Sequence, residues 1–348
     1  MINDYNNLVK IIKTNDVNKL KKFHENGGNI NHKSNDRSTA LIYASENNNL
    51  ECLKYLIENG VNINHTNNDG ESALMYACKN GHFKCIKYLI ENGAFINHED
   101  NDGDSALIYY INYEEQRSNY INYEAQRSNS SEYCDIKCIK YLIKNGANIN
   151  HVSNWGDSPL IVASRHKDLE CIKYLIENGA NINQVDNEGN SILRSASIDG
   201  DLEYIEYLVE RGADIHYANI DGDTPLIWAN ENGYFDYVKY LHENDVDINH
   251  ANNNGITALI FASKNNNLEC LEYLIQNGAN INHVDDDGNT ALTCAIINGY
   301  GNIVKYLFNN GADIYHINNN GKTIIDLAKS ERMKDLIIEY TTTEFILK

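Results

Sequence analysis

Proline occurs only twice in the 348 residues, at Pro159 and Pro225, and no stretch rich in proline, glycine and serine interrupts the chain. Without such a linker nothing marks off a second domain, although the length alone would suit two. Long apolar runs are missing too. None approaches the roughly 20 residues that a bilayer crossing needs, so no membrane partner is expected. The first residues carry Asp4 and scattered asparagines, which is not the pattern of a secretory signal peptide. Bases are in deficit: 29 Lys and Arg stand against 49 Asp and Glu, for a formal net charge of −20. With a pI of about 4.9, that balance argues against binding a phosphate backbone, and no nucleic-acid partner is expected. C-x-x-C, G-x-S-x-G and H-E-x-x-H are absent, which removes the commonest thiol, serine and zinc chemistries.

What is present excludes an acidic disordered tail, because 42% of residues are hydrophobic and 9% aromatic. Asparagine (56) and isoleucine (42) are abundant, a bias that A/T-rich coding would also produce and a weak guide to function. The decisive feature is repetition. Tyr55-Leu56-Ile57-Glu58-Asn59-Gly60 recurs at Tyr88–Gly93, Tyr141–Gly146, Tyr174–Gly179 and Tyr273–Gly278, with degenerate copies ending at Gly27, Gly212, Asp245 and Gly311. Successive steps are 33, 33, 53 and then 33 five times. A second column keeps the same period: Thr39, Ser72, Ser105, Ser158, Ser191, Thr224, Thr257, Thr290 and Thr323.

Each period reads as a helical hairpin. The Ser or Thr is a helix N-cap, followed by a short apolar helix such as Ala258–Ala262. Gly81, Gly200, Gly233 and Gly299, or Asn elsewhere, supply the turn. A second helix follows, with Cys171, Ile172, Leu175 and Ile176 on its apolar side. Asn178-Gly179 ends it with glycine in the left-handed position. A loop containing Asp-Gly, as at Asp221-Gly222, leads to the next period. Neither helix can bury its apolar side alone, but stacked neighbours can, so the expected fold is an all-α solenoid.

The pattern resembles the ankyrin-repeat family, whose D-x-x-G-x-T-P-L-H-x-A survives best at Asp221-Gly222-Asp223-Thr224-Pro225-Leu226-Ile227-Trp228-Ala229 and whose G-A-x-x-N appears at Gly179-Ala180-Asn181-Ile182-Asn183. The resemblance implies helix-turn-helix repeats joined by β-hairpin-like loops, and a role in binding other proteins through the loop edge and the concave helix face. Thr-Pro-Leu-His becomes Thr/Ser-Ala-Leu-Ile in most repeats. The lost histidine is the one that links neighbouring loops in this family. Repeat boundaries are expected near 36, 69, 102, 155, 188, 221, 254 and 287, between an N-terminal cap at 1–35 and a C-terminal cap at 320–348. The long step comes from a tandem decapeptide duplication, Tyr110–Asn119 and Tyr120–Asn129, inserting 20 residues at about 112–131.

Other constellations have plain readings. His32, His65, His98, His151, His250, His283 and His316 share one column. The stacking implied by the resemblance keeps them too far apart to share a zinc ion, whose nitrogen ligands lie at about 2.0–2.1 Å. They read as a copied loop residue that would also add positive charge in acid. Cys52, Cys85, Cys138, Cys171 and Cys270 share a helix column. They read as buried core in separate layers, which suits a reducing, intracellular and cytoplasmic setting. Cys134 and Cys138 stand at i and i+4, with no role assigned. Gly321-Lys322-Thr323 lacks the first glycine of a P-loop, and Asp100, Asp102 and Asp104 fail the calcium-loop spacing. No cofactor, metal site or catalytic residue is expected.

Charge is the sharper guide. The nine loop segments from 32–38 to 316–322 hold 15 acids and 3 bases, so the acidic excess sits on the loop edge. The candidate partner-binding residues are Asp69, Glu71, Asp100, Asp102, Asp104, Trp155, Asp157, Asp221, Asp223, Asp285 and Asp287, and the expected partner is a protein with a basic surface. Trp155 stands where other loops carry an acid, as a candidate anchor, whereas Trp228 falls in a helix and reads as core. The expected function is a non-catalytic protein–protein interaction scaffold, acting as a monomer. The alternatives are an adaptor whose specificity lies in the Tyr- and Arg-bearing insertion at 110–131, and a metal-binding or enzymatic protein.

Overall fold

A computed structural model describes residues 2–112, 136–198 and 200–347. The duplicated segment beyond residue 112, and Cys134, lie outside the described residues. The chain divides into two compact units, Met1–Asn187 and Glu188–Lys348, and each is described by itself.

The N-terminal unit alternates first and second helices of successive hairpins: α1 (Ile2–Lys13) with α2 (Val17–Glu25), α3 (Ala40–Glu46) with α4 (Leu50–Glu58), and α5 (Ala73–Lys79) with α6 (Phe83–Glu91). Then come α7 (106–112), α8 (Lys137–Lys144), and the pair α9 (Pro159–Arg165) with α10 (Leu169–Glu177). First helices pack on first helices, α1 on α3 and α3 on α5, while α2, α4 and α6 form a second layer. The apolar columns explain the stacking. Ala40, Leu41, Ile42 and Ala44 of α3 and Cys52, Leu53 and Leu56 of α4 are all 0–1% exposed. Fully burying one leucine is worth about 1.5–3 kcal/mol, and the layer repeats with every hairpin.

The C-terminal unit repeats the plan: α11 (Ile192–Ser197) with α12 (Leu202–Glu210), α13 (Pro225–Asn232) with α14 (Phe235–Glu243), α15 (Ala258–Lys264) with α16 (Leu268–Gln276), and α17 (Ala291–Asn298) with α18 (Gly301–Asn309). It ends in α19 (Ile324–Leu327) and the longer α20 (Glu331–Leu347). Again α13, α15 and α17 stack in one layer and α14, α16 and α18 in the other. Both units are therefore all-α, with no sheet among the described residues. The loops carry only single antiparallel bridges, such as Thr66 with Ser72 and Ala251 with Thr257, so they are short hairpins.

The punctuation residues act locally as their types dictate. The hydroxyls of Thr39, Ser72, Ser158, Thr257 and Thr290 accept the N–H three residues on at 3.2–3.4 Å. Ser191 and Thr224 hold N-cap positions without that bond. Where the glycine ending a second helix is replaced, Asp245 still adopts φ +61, a left-handed conformation that Asp tolerates better than bulkier residues. The cysteine column is core: Cys52, Cys85 and Cys171 are 0% exposed, Cys270 1% and Cys138 3%. Burial pushes the thiols of Cys52, Cys85 and Cys270 up to about 11. Trp228 is core as well, 1% exposed.

Candidate functional site

The loops are fixed to one another by asparagine. In the N-terminal unit the backbone N–H groups of Asn68, Asn101, Asn154 and Asn187 donate to the carbonyls of Asp36, Asp69, Asp102 and Trp155, at 2.8, 2.9, 2.9 and 3.2 Å. The same side chains form a second ladder: the carboxamides of Asn101, Asn154 and Asn187 donate to the carbonyls of Asn68, Asn101 and Asn154 at 3.0, 3.1 and 2.8 Å. Asn253 and Asn319 repeat both contacts in the C-terminal unit. Only a short planar amide offers an acceptor, a donor and little side-chain entropy at this reach. Glycine follows the tips from Asp69 onward, and the next loop crowds it at Gly70, Gly103, Gly156, Gly189, Gly222, Gly255 and Gly288. A Cβ on Gly70, at φ +82, would lie 2.9 Å from the backbone nitrogen of Asn101.

Histidine supplies a third link. The Nε2–H of His65 donates to the carbonyl of Arg37, and those of His98, His151, His250, His283 and His316 donate to the carbonyls of Gly70, Gly103, Gly222, Gly255 and Gly288, at 2.6–2.9 Å. A carbonyl can only accept, so each ring carries its proton on Nε2. The loop-to-loop link expected to be lost with the Thr-Pro-Leu-His histidine is thus made by this other column.

On this scaffold the candidate residues separate into two sets. Asp69, Asp102, Asp221 and Asp287 occupy the tips; they are exposed, and no described residue pairs with their carboxylates. Trp155 takes the same tip position and is 65% exposed. Asp100, Asp285 and Glu71 turn inward. Asp100 Oδ1 accepts the N–H groups of Asp102 and Asp104 at 2.9 and 2.8 Å, and Asp285 Oδ1 accepts that of Asn289 at 2.7 Å. Asp223 accepts from the Asn252 carboxamide at 2.8 Å. These acids shape the loops, as Asn67, Asn219 and Asn252 do elsewhere.

Glu71, Asp104 and Asp157 stack in one column of the N-terminal unit, and here the electrostatics are concentrated. Glu71 is 7% exposed; it accepts from Asn67 at 2.9 Å, Lys79 at 3.1 Å and the Tyr109 hydroxyl at 3.0 Å. Burial by itself would raise its carboxyl, but the donors Tyr76, Asn67 and Lys79 outweigh burial and hold it below the ordinary glutamate value. The Lys79 ammonium also lies 5.3 Å from the centre of the Tyr109 ring. Asp157 is held by Arg165, which reaches on to Asp186 at 3.0 Å. Lys79 and Arg165 each stand eight residues after their acid; the equivalent residue after Asp104 is Asn112, which bonds His166 at 3.0 Å instead. Asp104 therefore lacks a Lys or Arg partner among the described residues. Burial first, and then the charges of Asp100, Asp157 and Asp102, push its carboxyl up to about 6.

The C-terminal unit carries no comparable row. Its equivalents of Glu71 are Asn190, Asp223, Ile256, Asn289 and Lys322. Arg194 instead stacks its guanidinium 5.2 Å from the Trp228 ring centre. No group of three or more His, Cys, Asp or Glu side chains is placed to hold a metal ion among the described residues, and no described helix is long and apolar enough to cross a membrane. The duplicated insertion lies outside the described residues.

Stacked helical hairpins joined by hydrogen-bonded loops define a helical-repeat protein. A family model described as ankyrin repeats (3 copies) matches residues 8–100, 128–219, 186–252 and 216–285, and one described as ankyrin repeats (many copies) matches 274–328. The chain belongs to the ankyrin-repeat family, whose repeats are in general protein–protein interaction modules. No curated protein matches the chain at a significant level.

Proposed function

We propose that this chain is a non-catalytic interaction scaffold that presents its loop tips to a protein with a basic surface. The observation that carries the reading is the state of the tip acids. Asp69, Asp102, Asp221 and Asp287 are exposed, held on hydrogen-bonded loops, and lack a cation among the described residues. Exposed charge of one sign on a pre-formed edge steers a partner of the other sign and contributes mainly to association rate. Trp155, 65% exposed among these tips, supplies the apolar contact that charge alone does not give, since buried aromatics carry much of the energy of protein interfaces. Glu71, Asp100 and Asp285 serve this surface indirectly, by holding the loops.

The test compares capture of partners from the native cell by the full chain, by a variant with D69N, D102N, D221N and D287N together, and by W155A. The quadruple variant is expected to bind more slowly and with a weaker salt dependence. W155A is expected to raise the dissociation rate about tenfold, equivalent to about 1.4 kcal/mol. A partner kept equally by both variants, and lost when residues 112–131 are deleted, would move the binding site to the duplicated insertion.

A further inference from the structure

Asparagine is the commonest loop residue here, and in twelve places glycine follows it. Asn-Gly is the dipeptide most open to self-deamidation, because glycine has no Cβ to hinder attack by its own nitrogen. Nine of the twelve are tied down: the Asn carboxamide donates to the carbonyl four residues earlier, as Asn59 does to Tyr55 and Asn310 to Tyr306, both at 2.8 Å. The exceptions are Asn26, Asn254 and Asn320, all exposed and without a side-chain bond to any described residue. Asn26 ends a helix. Asn254 and Asn320 lie elsewhere, in the tip column, where Asp69, Asp102, Asp221 and Asp287 carry acids.

We infer that Asn254 and Asn320 are self-modification sites at which the amide tips convert to acidic ones. The Gly255 or Gly321 nitrogen, losing its proton to solvent base, bonds to the Asn Cγ. The Cγ–Nδ2 bond breaks, and Nδ2 leaves as ammonia. Water then opens the resulting succinimide to aspartate or isoaspartate. The sum is one water consumed and one ammonia released, with no oxidant or reductant. Each event adds one negative charge to a loop edge that already holds 15 acids against 3 bases.

The two sites differ in how much must move. The Asn254 carbonyl accepts the Asp286 N–H at 3.0 Å, and the Asp286 carboxylate crowds Gly255, where a Cβ would lie 2.9 Å away. No atom lies near the corresponding point at Gly321. In both turns the glycine N–H donates at 2.9 Å, to Asn252 and Asn318, and must be released before attack. Asn320 is therefore the faster site. Isoaspartate at 254 would lengthen the backbone inside the loop ladder, whereas at 320 only the last loop changes. The chemistry stands whether or not the tips bind a partner.

The experiment is incubation of the full folded chain at mildly alkaline pH, with peptide mapping by mass spectrometry and detection of isoaspartate. A parallel sample in urea gives the rate set by sequence alone. In the folded chain Asn320 is expected first, then Asn254 and Asn26, each up to about tenfold ahead of the nine tied sites, since one net hydrogen bond shifts a rate by up to about that factor. In urea the spread is expected to collapse. N254Q and N320Q each remove their own product and leave the other. Equal rates at Asn320 and Asn59 in the folded chain, or an intact Asn320 while the urea sample reacts, would overturn the inference.

Discussion

The two units share one repeat and use it differently. In the N-terminal unit the column below the loops is acidic at Glu71, Asp104 and Asp157, and the helix column beside it holds Tyr43, Tyr76 and Tyr109. Lys79 and Arg165 offset two of the three acids. In the C-terminal unit the same helix column holds Trp228, Phe261 and Cys294, and the buried polar atoms Thr224 Oγ1, Trp228 Nε1, Asn230 Oδ1 and Ser263 Oγ have no bonding partner among the described residues. At this column the first unit combines packing with ion pairs and hydrogen bonds, and the second relies on apolar packing beside several polar atoms that no described residue meets. One backbone repeat accommodates both, because each layer needs only complementary neighbours above and below.

The comparison can be broken most sharply at Trp228. W228A leaves a large cavity in the apolar unit and is expected to cost about 3–5 kcal/mol, read by urea denaturation, with hydrogen-exchange protection lost first around α13 and α15. A small effect would show that packing is not what holds the C-terminal unit.

R165A tests the other unit. It removes the guanidinium that Asp157 and Asp186, 17% and 8% exposed at their side chains, share. Because the Arg165 side chain is itself 43% exposed, solvent screening trims the cost to about 2 kcal/mol. The loss is read by urea denaturation, and a variant as stable as the parent would show that the ion pair does not hold this unit.

D104N should act in the opposite direction. Asp104 ionises near 6 in the fold against an ordinary 3.8, so the folded chain holds its proton more tightly than the unfolded chain does. That contribution is fully present below about pH 4 and is lost as pH rises through about 6. D104N is expected to stabilise by about 1–2 kcal/mol at pH 7 and to give no gain below about pH 4, as paired melts at the two pH values would show. A gain that ignores pH would point to packing instead of charge.

S263A is the mildest change. It removes a hydroxyl that is buried in α15 with no partner among the described residues, and a gain of up to about 1 kcal/mol is expected by differential scanning calorimetry. A loss would mean that the hydroxyl is satisfied by ordered water.

Much of this architecture is legible in the sequence. The 33-residue period, the hydroxyl column and the apolar columns lead to the all-α repeat fold, and the Asp-Gly turns locate the tips. The inward set was not visible. Glu71 and Asp69 lie two residues apart, yet one is buried and the other exposed, because the hairpin reverses between them. The ion-paired row left a fainter signal, in the shared eight-residue spacing of Glu71 to Lys79 and Asp157 to Arg165. Histidine and asparagine were read as copied or compositional, because their partners lie in the neighbouring repeat, 28 and 33 residues away at Gly70 and Asn68.

The sequence by itself determined the repeat, the order of helices and turns, and the acidity of the loop edge, because these follow from local periodicity and from residue type at fixed offsets. The tertiary structure decided which acids face solvent, which are ion-paired, and that among the described residues Asp104 lacks the Lys or Arg its neighbours have. It also decided which asparagines are tied and which are free. The physical reason lies in three-dimensional packing: the adjacent layer of the stack decides burial, while the ion pairs and the tied asparagines follow from how each hairpin folds back on itself.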